Sequence, residues 1–86
     1  MAEPSFQLKV VTPNEVAFEG TVVSVTVPGE AGYFGVLANH AAFVSTLGKG
    51  NLTTRDESGK TSSLKVEGGF FKVSNNRAIV LTDSVK

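Results

Sequence analysis

Apolar and polar residues alternate along most of this chain, and glycine, proline or asparagine breaks the alternation every ten residues or so. A period of two sends successive side chains to opposite faces of an extended strand. Turn residues at that spacing leave room only for short strands. Phe6, Leu8 and Val10 share one face, and Gln7, Lys9 and Val11 the other. Thr12-Pro13-Asn14 is turn chemistry, with proline where no ladder N–H is needed. No segment holds a helical period. The pattern predicts about eight to ten strands in an antiparallel sandwich or flattened barrel.

The alternation also changes phase. Val16 and Phe18 fall on even positions, whereas Val23, Val25 and Val27 fall on odd ones. The reading places a bulge or strand break near Glu19-Gly20-Thr21, at Gly20. Phe34 and Val36 form the next alternating pair. His40 to Leu47 reads as a further strand that ends at Gly48-Lys49-Gly50. Arg55 to Lys60 is a solvated hairpin tip between Leu52/Thr54 and Leu64/Val66. Gly68-Gly69 and Asn75-Asn76 mark two more turns, and Ile79 and Leu81 lie on a final strand. Residues 82–86 are expected to add nothing that caps or closes the fold. The whole of 1–86 reads as one domain.

Three glycines, Gly29, Gly32 and Gly35, fall within seven residues between two strands. A hairpin needs fewer. Surplus glycine in such a loop marks a surface that another body approaches closely.

Composition excludes several chemistries. There is no cysteine, so no disulfide framework and no thiolate metal site. His40 is the only histidine, and zinc wants three or four ligands. It is expected to make a structural or interface hydrogen bond at a strand start. Ser45, His40 and Asp56 or Asp83 supply the residue types of a triad, but no Gly-x-Ser-x-Gly elbow accompanies them. Residues 29–35 lack the Gly-Lys-Ser/Thr ending and the helix of a phosphate loop.

Eight basic and eight acidic residues cancel, and the lysines are scattered along the sequence, so nucleic acid is not an expected partner. Phe70 and Phe71 are adjacent on a strand and must face opposite sides, one to the core and one outward. No apolar run approaches the ~20 residues of a membrane helix. Residues 1–5 lack the features of a secretory signal. No cofactor, metal or direct lipid insertion is expected, and the chain alone is expected to be monomeric.

Taken in order, the motifs resemble a known family. They are Val-Thr-Pro near the start, Phe18-x-Gly20, Val25-x-Val-Pro-Gly-Glu-x-Gly-x-Phe-Gly-Val-Leu37, His40-Ala41, Leu47, Gly50, Gly68-Gly69-Phe70 and Val80-Leu-Thr-Asp83. The chain is similar over almost its whole length to the epsilon subunit of F-type ATP synthase, called delta in mitochondria. The resemblance implies an all-β flattened antiparallel sandwich of two five-stranded sheets. It implies a non-catalytic rotor subunit of the central stalk, on the cytoplasmic face of an energy-transducing membrane. There it would link the gamma subunit to the polar loops of the c-ring and support coupling of proton flow to ATP synthesis.

By the same resemblance, Glu30, Ala31, Gly32 and Tyr33 meet the c-ring, and His40, Ala41, Ala42, Phe43 and Ser45 lie toward gamma. Position 33, often acidic in the family, is tyrosine here. Asn39 and Ala42 replace the usual glycine and proline. Family members usually continue into a two-helix C-terminal domain that can inhibit ATP hydrolysis. Nothing in 1–86 corresponds to it, and a naturally short chain is the favoured expectation. The alternative is a free-standing β-sandwich interaction module unrelated to ATP synthase.

Overall fold

A computed structural model describes residues 4–86. Residues 1–3, part of the segment read above for a secretory signal, lie outside the described residues. Ten strands follow in chain order: β1 (Phe6–Val11), β2 (Val16–Val22), β3 (Ser24–Gly29), β4 (Gly32–Leu37), β5 (Phe43–Thr46), β6 (Lys49–Arg55), β7 (Thr61–Glu67), β8 (Phe70–Ser74), β9 (Arg77–Leu81) and β10 (Ser84–Val85). No helix occurs among the described residues.

The strands form two five-stranded sheets, in the order β2-β1-β9-β8-β5 and β10-β7-β6-β3-β4. They stack as a sandwich measuring 37 × 23 × 20 Å. The expected fold class is therefore borne out, with one refinement. β1 and β9 pair in parallel, Gln7 beside Arg77 through Val11 beside Leu81, so the first sheet is mixed. Local turn signals cannot report a pairing between strands so distant in sequence.

The core follows the period of two. Phe6, Leu8 and Val10 from β1, Val25 and Val27 from β3, Val36, Leu52 and Val66 from the second sheet, and Phe71, Val73, Ala78 and Val80 from β8 and β9 are buried together. β-Branched valine dominates, which suits a pleated, close-packed interior. At ~1.5–3 kcal/mol for each large side chain removed from water, this cluster is the main drive to fold.

Three expectations are corrected. The phase change is not at Gly20, which lies within β2 opposite Leu8. It comes at Val22 and Val23, both buried, where the chain leaves the first sheet for the second. A separate register shift places Val11 opposite Val16 directly after Val10 opposite Phe18. Phe18 therefore packs on the core while Val16 stays outside.

The predicted strand from His40 to Leu47 begins only at Phe43, because Ala38 and Asn39 form a turn. Ile79 and Leu81 do lie on a strand, β9, where they face outward while Ala78 and Val80 take the core side. Lastly, residues 82–86 do close the second sheet. Ser84 and Val85 pair with Glu67 and Val66 as β10. The buried Thr82 hydroxyl accepts from the Glu67 N–H (3.3 Å) and donates to its carbonyl (3.1 Å).

Candidate functional site

The glycine-rich segment is the hairpin between β3 and β4. Gly29 stands opposite Gly32, so Glu30 and Ala31 form its two-residue tip. Gly32 has φ 138°, open to glycine but not to other residues. A Cβ on Gly29 would sit 2.7 Å from the Gly32 carbonyl oxygen, so the tight approach of the two backbones needs glycine there.

This tip is tied down. The Glu30 N–H donates to the Thr46 carbonyl (3.0 Å), and the Gly48 N–H to the Pro28 carbonyl (2.9 Å). Leu47 N–H donates to Gly69 (2.9 Å), and Gly68 N–H to Gly48 (3.2 Å). Four segments from both sheets thus share one hydrogen-bonded end of the sandwich. Backbone satisfaction of this kind makes a loop stiff without a buried core of its own. Ala31 and the Glu30 side chain are exposed beyond that base.

Tyr33 is 60% exposed, yet it is not free. Its hydroxyl oxygen accepts the Asn51 N–H at 3.1 Å. Its ring lies across Gly50, where a Cβ would overlap the phenol and come within 2.9 Å of Pro28 Cβ. An acidic side chain is too short to make this bridge from β4 to β6. Tyrosine therefore exchanges a charge at the tip for a brace beneath it.

The second group lies elsewhere. β4 runs about 17 Å from the Glu30 tip to Leu37. Asn39, at φ 64°, then turns the chain toward β5, as asparagine in place of glycine can. Its N–H donates to Asn76 Oδ1 (2.7 Å), and Asn76 Nδ2 donates to the Ser5 carbonyl (2.7 Å). His40 follows, half-buried, with its ring against Phe43. Its Nδ1–H donates to the Ala41 carbonyl at 2.7 Å, a structural hydrogen bond of the kind expected, though before the strand rather than in it.

Phe43 and Ser45 do not face outward. They pair with the buried Val73 and Phe71, so their side chains point to the inner side of the first sheet. Phe43 meets Phe34 edge-on at 5.3 Å, Phe34 meets Phe71 at 5.6 Å, and His40 meets Phe43 at 5.9 Å. This aromatic chain seals the gap between edge strands β4 and β5; each such pair contributes ~0.5–1.5 kcal/mol. Ser45 Oγ donates to the Thr46 carbonyl (3.0 Å). The outward residues of β5 are Val44, 63% exposed, and Thr46. The register signal that would have found Val44 is its alternation with Phe43 and Ser45.

The triad residue types are not brought together. Asp56 is held in its own loop by Ser58 and Lys60, and Asp83 lies against Gly68 at the opposite end from His40. Among the described residues no group of three metal-ligating side chains converges. Phe71 is fully buried and Phe70 is 44% exposed, as their adjacency requires. The geometry sets a glycine tip at one end and a turn bearing His40 at the other, joined by the edge strand β4.

Comparison with known proteins identifies the family. A family model described as ATP synthase, Delta/Epsilon chain, beta-sandwich domain matches residues 5–86. The chain is 43% identical over 76 residues to an ATP synthase epsilon chain of Leptospira borgpetersenii, across 88% of this chain and 59% of that one. It is 42% identical over 86 residues to an ATP synthase epsilon chain of Chlorobium limicola, covering 98% of this chain and 96% of that one. It thus spans only about three fifths of the Leptospira relative but nearly all of the Chlorobium one.

Among solved structures, a chain of the Euglena gracilis mitochondrial ATP synthase (OSCP/F1/c-ring) superposes with a TM-score of 0.91 at 25% identity, over 100% of this chain and 55% of that one. A chain of the Tetrahymena thermophila mitochondrial ATP synthase (central stalk/c-ring) shares the fold, with a TM-score of 0.80 at 13% identity.

Proposed function

We propose, because this chain belongs to the delta/epsilon β-sandwich family of ATP synthase, that it is a non-catalytic subunit of the central stalk that fastens gamma to the c-ring. The observation that carries the reading is the family match across residues 5–86. The Euglena assembly contains F1 and a c-ring, which is the setting proposed for this chain.

Coupling requires that gamma turn with the c-ring rather than slip on it. A sandwich resists slip because paired strands and a close-packed core give it few soft modes. Here the Glu30–Tyr33 tip is the proposed c-ring contact. Glycine lets the polar loops of the ring approach the backbone, and the free Glu30 carboxylate meets a basic side chain there. The stretch His40–Ser45 is the proposed gamma side. Val44 joins it as the residue of β5 that faces out. The chain would sit peripherally on the cytoplasmic face of the membrane. No helix among the described residues is long and apolar enough to cross it.

Co-purification tests this. Tagged chain is expected to recover gamma and the c-ring from membranes. Glu30→Lys is expected to lower c-ring retention about tenfold, the usual scale for reversing a contact charge. Its urea midpoint is expected to stay at the wild-type value, since the side chain is exposed at the hairpin tip. Failure of the wild-type chain to bind gamma would overturn the rotor reading. Normal retention and proton-coupled synthesis with Glu30→Lys would remove the assignment of the tip. Bulky substitution at Gly32 is a poorer test, because its φ of 138° strains any side chain.

A further inference from the structure

Two lysines stand side by side on the outer face of the second sheet. The Lys65 N–H donates to the Lys86 carbonyl (3.1 Å), and the Lys86 N–H donates to the Lys65 carbonyl (2.9 Å). Residues that exchange both bonds have Cα atoms about 5.5 Å apart and side chains on one face. Like charges set directly opposite in this way destabilise a sheet. Lys49 shares the face from β6. It pairs with Glu67, two residues along β7 from Lys65, so it lies diagonally about 7–8 Å from Lys65.

Lys49, Lys65 and Lys86 line one hollow of about 360 Å³, together with Asn51, Glu67 and Ser84 among others. Scattered along the sequence, the lysines are gathered by the pairing of β6, β7 and β10. All three are exposed. No hydrogen bond or ion pair among the described residues engages their ammonium groups. Glu67 is the one carboxylate on the hollow, which therefore keeps a positive excess in a chain whose eight basic and eight acidic residues balance. The backbone beneath is fixed. The Thr82 hydroxyl ties Glu67, and the Gly68 N–H donates to the Gly48 carbonyl beside Lys49 (3.2 Å). A second group of cations, Lys9, Lys72 and Arg77, lines a hollow on the outer face of the first sheet. There Ile79 separates Lys9 from Lys72, and the face runs on through Val44 into the proposed gamma side.

We propose that the hollow on the second sheet is an anion site that takes a phosphate group. A phosphate group presents three acceptor oxygens, and lysine binds it as a point charge. Seated between Lys65 and Lys86, the anion replaces their mutual repulsion with two attractions, and Lys49 reaches it from the diagonal. The Asn51 amide and the Ser84 hydroxyl add neutral donors at the rim. Glu67 opposes the anion and weakens the site. The site does not rest on the rotor reading, because none of its side chains belongs to the Glu30 tip or the His40 turn.

Isotope-labelled chain is titrated with sodium phosphate and, separately, with sodium chloride at equal ionic strength. Phosphate is expected to move the backbone signals of Lys49, Lys65, Glu67 and Lys86 to saturation, and chloride to leave them in place. Lys65→Gln/Lys86→Gln is expected to weaken phosphate binding at least about tenfold. This variant relieves a like-charge pair, so its urea midpoint should not fall. Glu67→Gln has the opposite sign and is expected to tighten binding about threefold or more. Vesicles of phosphatidylglycerol, with phosphatidylcholine as the blank, identify the carrier of the group. Chain that sediments with phosphatidylglycerol and is released by free phosphate assigns the site to a lipid headgroup; chain that stays in solution assigns it to a soluble phosphate compound. Unsaturated shifts, an equal response to chloride, shifts as large at Lys9, Lys72 and Arg77, undiminished binding by the double lysine variant or weaker binding by Glu67→Gln would each overturn the proposal. So would vesicle binding that the double lysine variant retains.

Discussion

Two glycines separate conformational need from mere occurrence. Gly69 has φ 98°, and a Cβ there would overlap the Leu81 carbonyl and lie 2.8 Å from Thr82 Cα. Gly35 has nothing within 4 Å of where a Cβ would stand. Gly69→Ala is therefore expected to cost about 2–4 kcal/mol in urea denaturation, and Gly35→Ala less than about 0.5 kcal/mol. Asp56 gives a pH signature. Its Oδ1 accepts from the Ser58 hydroxyl (2.7 Å), the Ser58 N–H (3.0 Å) and the Lys60 N–H (3.0 Å). The Ser58 hydroxyl, above all, holds the carboxyl below its ordinary value; desolvation pulls the other way, and the Lys60 and Ser58 N–H groups reinforce the lowering.

Folded Asp56 thus takes up a proton less readily than unfolded Asp56. Its contribution to stability is complete above the ordinary carboxylate pKa of about 4 and is lost as pH falls through the lower folded value. Urea midpoints of wild type and Asp56→Asn are expected to differ at neutral pH and to converge in acid. Residues that act through their own backbone were legible: Asn75 and Asn76 adopt φ 51° and 62° in the turn their identity suggests. Gly20 was misread because glycine is the usual site of a break, whereas here two buried valines carry the crossing.

Among the elements, β10 shows what a short strand can hide. Two residues are too few to show a period of two. Its position is fixed by Thr82, which ends β9 through an N–H to the Val11 carbonyl (3.0 Å) while its hydroxyl grips Glu67 in the other sheet. Thr82→Val keeps the shape and removes the grip. It is expected to destabilise by about 1–3 kcal/mol. Amide exchange at Lys65 and Lys86, which pair with each other's carbonyls, should quicken about tenfold or more. The strand β5 was legible as a strand but not in its face. The stretch from His40 to Val44 alternates poorly, and only pairing with β8 shows that Phe43 turns in and Val44 out.

Taken whole, the sandwich presents the glycine tip at one end and, away from it, the His40 turn with β5, whose Val44 stands beside Lys72 on the outer face of the first sheet. The sequence pattern left sandwich and barrel both open, since local alternation describes a strand and not its distant neighbour. The pairing of β1 with β9 decides the first sheet, and with it the gathering of Lys9, Lys72 and Arg77. The candidate tip was legible because glycine spacing is a local property. The brace under it was not, because Tyr33 reaches across to β6. That brace has an optical consequence. The chain holds one tyrosine and no tryptophan, so its intrinsic ultraviolet emission comes mainly from a single ring, pinned across Gly50 beneath the tip. A body that seats on the tip changes the surroundings of that ring, whereas one that seats on the outer face of the first sheet does not. The unlabelled protein therefore carries its own reporter, able to tell which surface has been occupied.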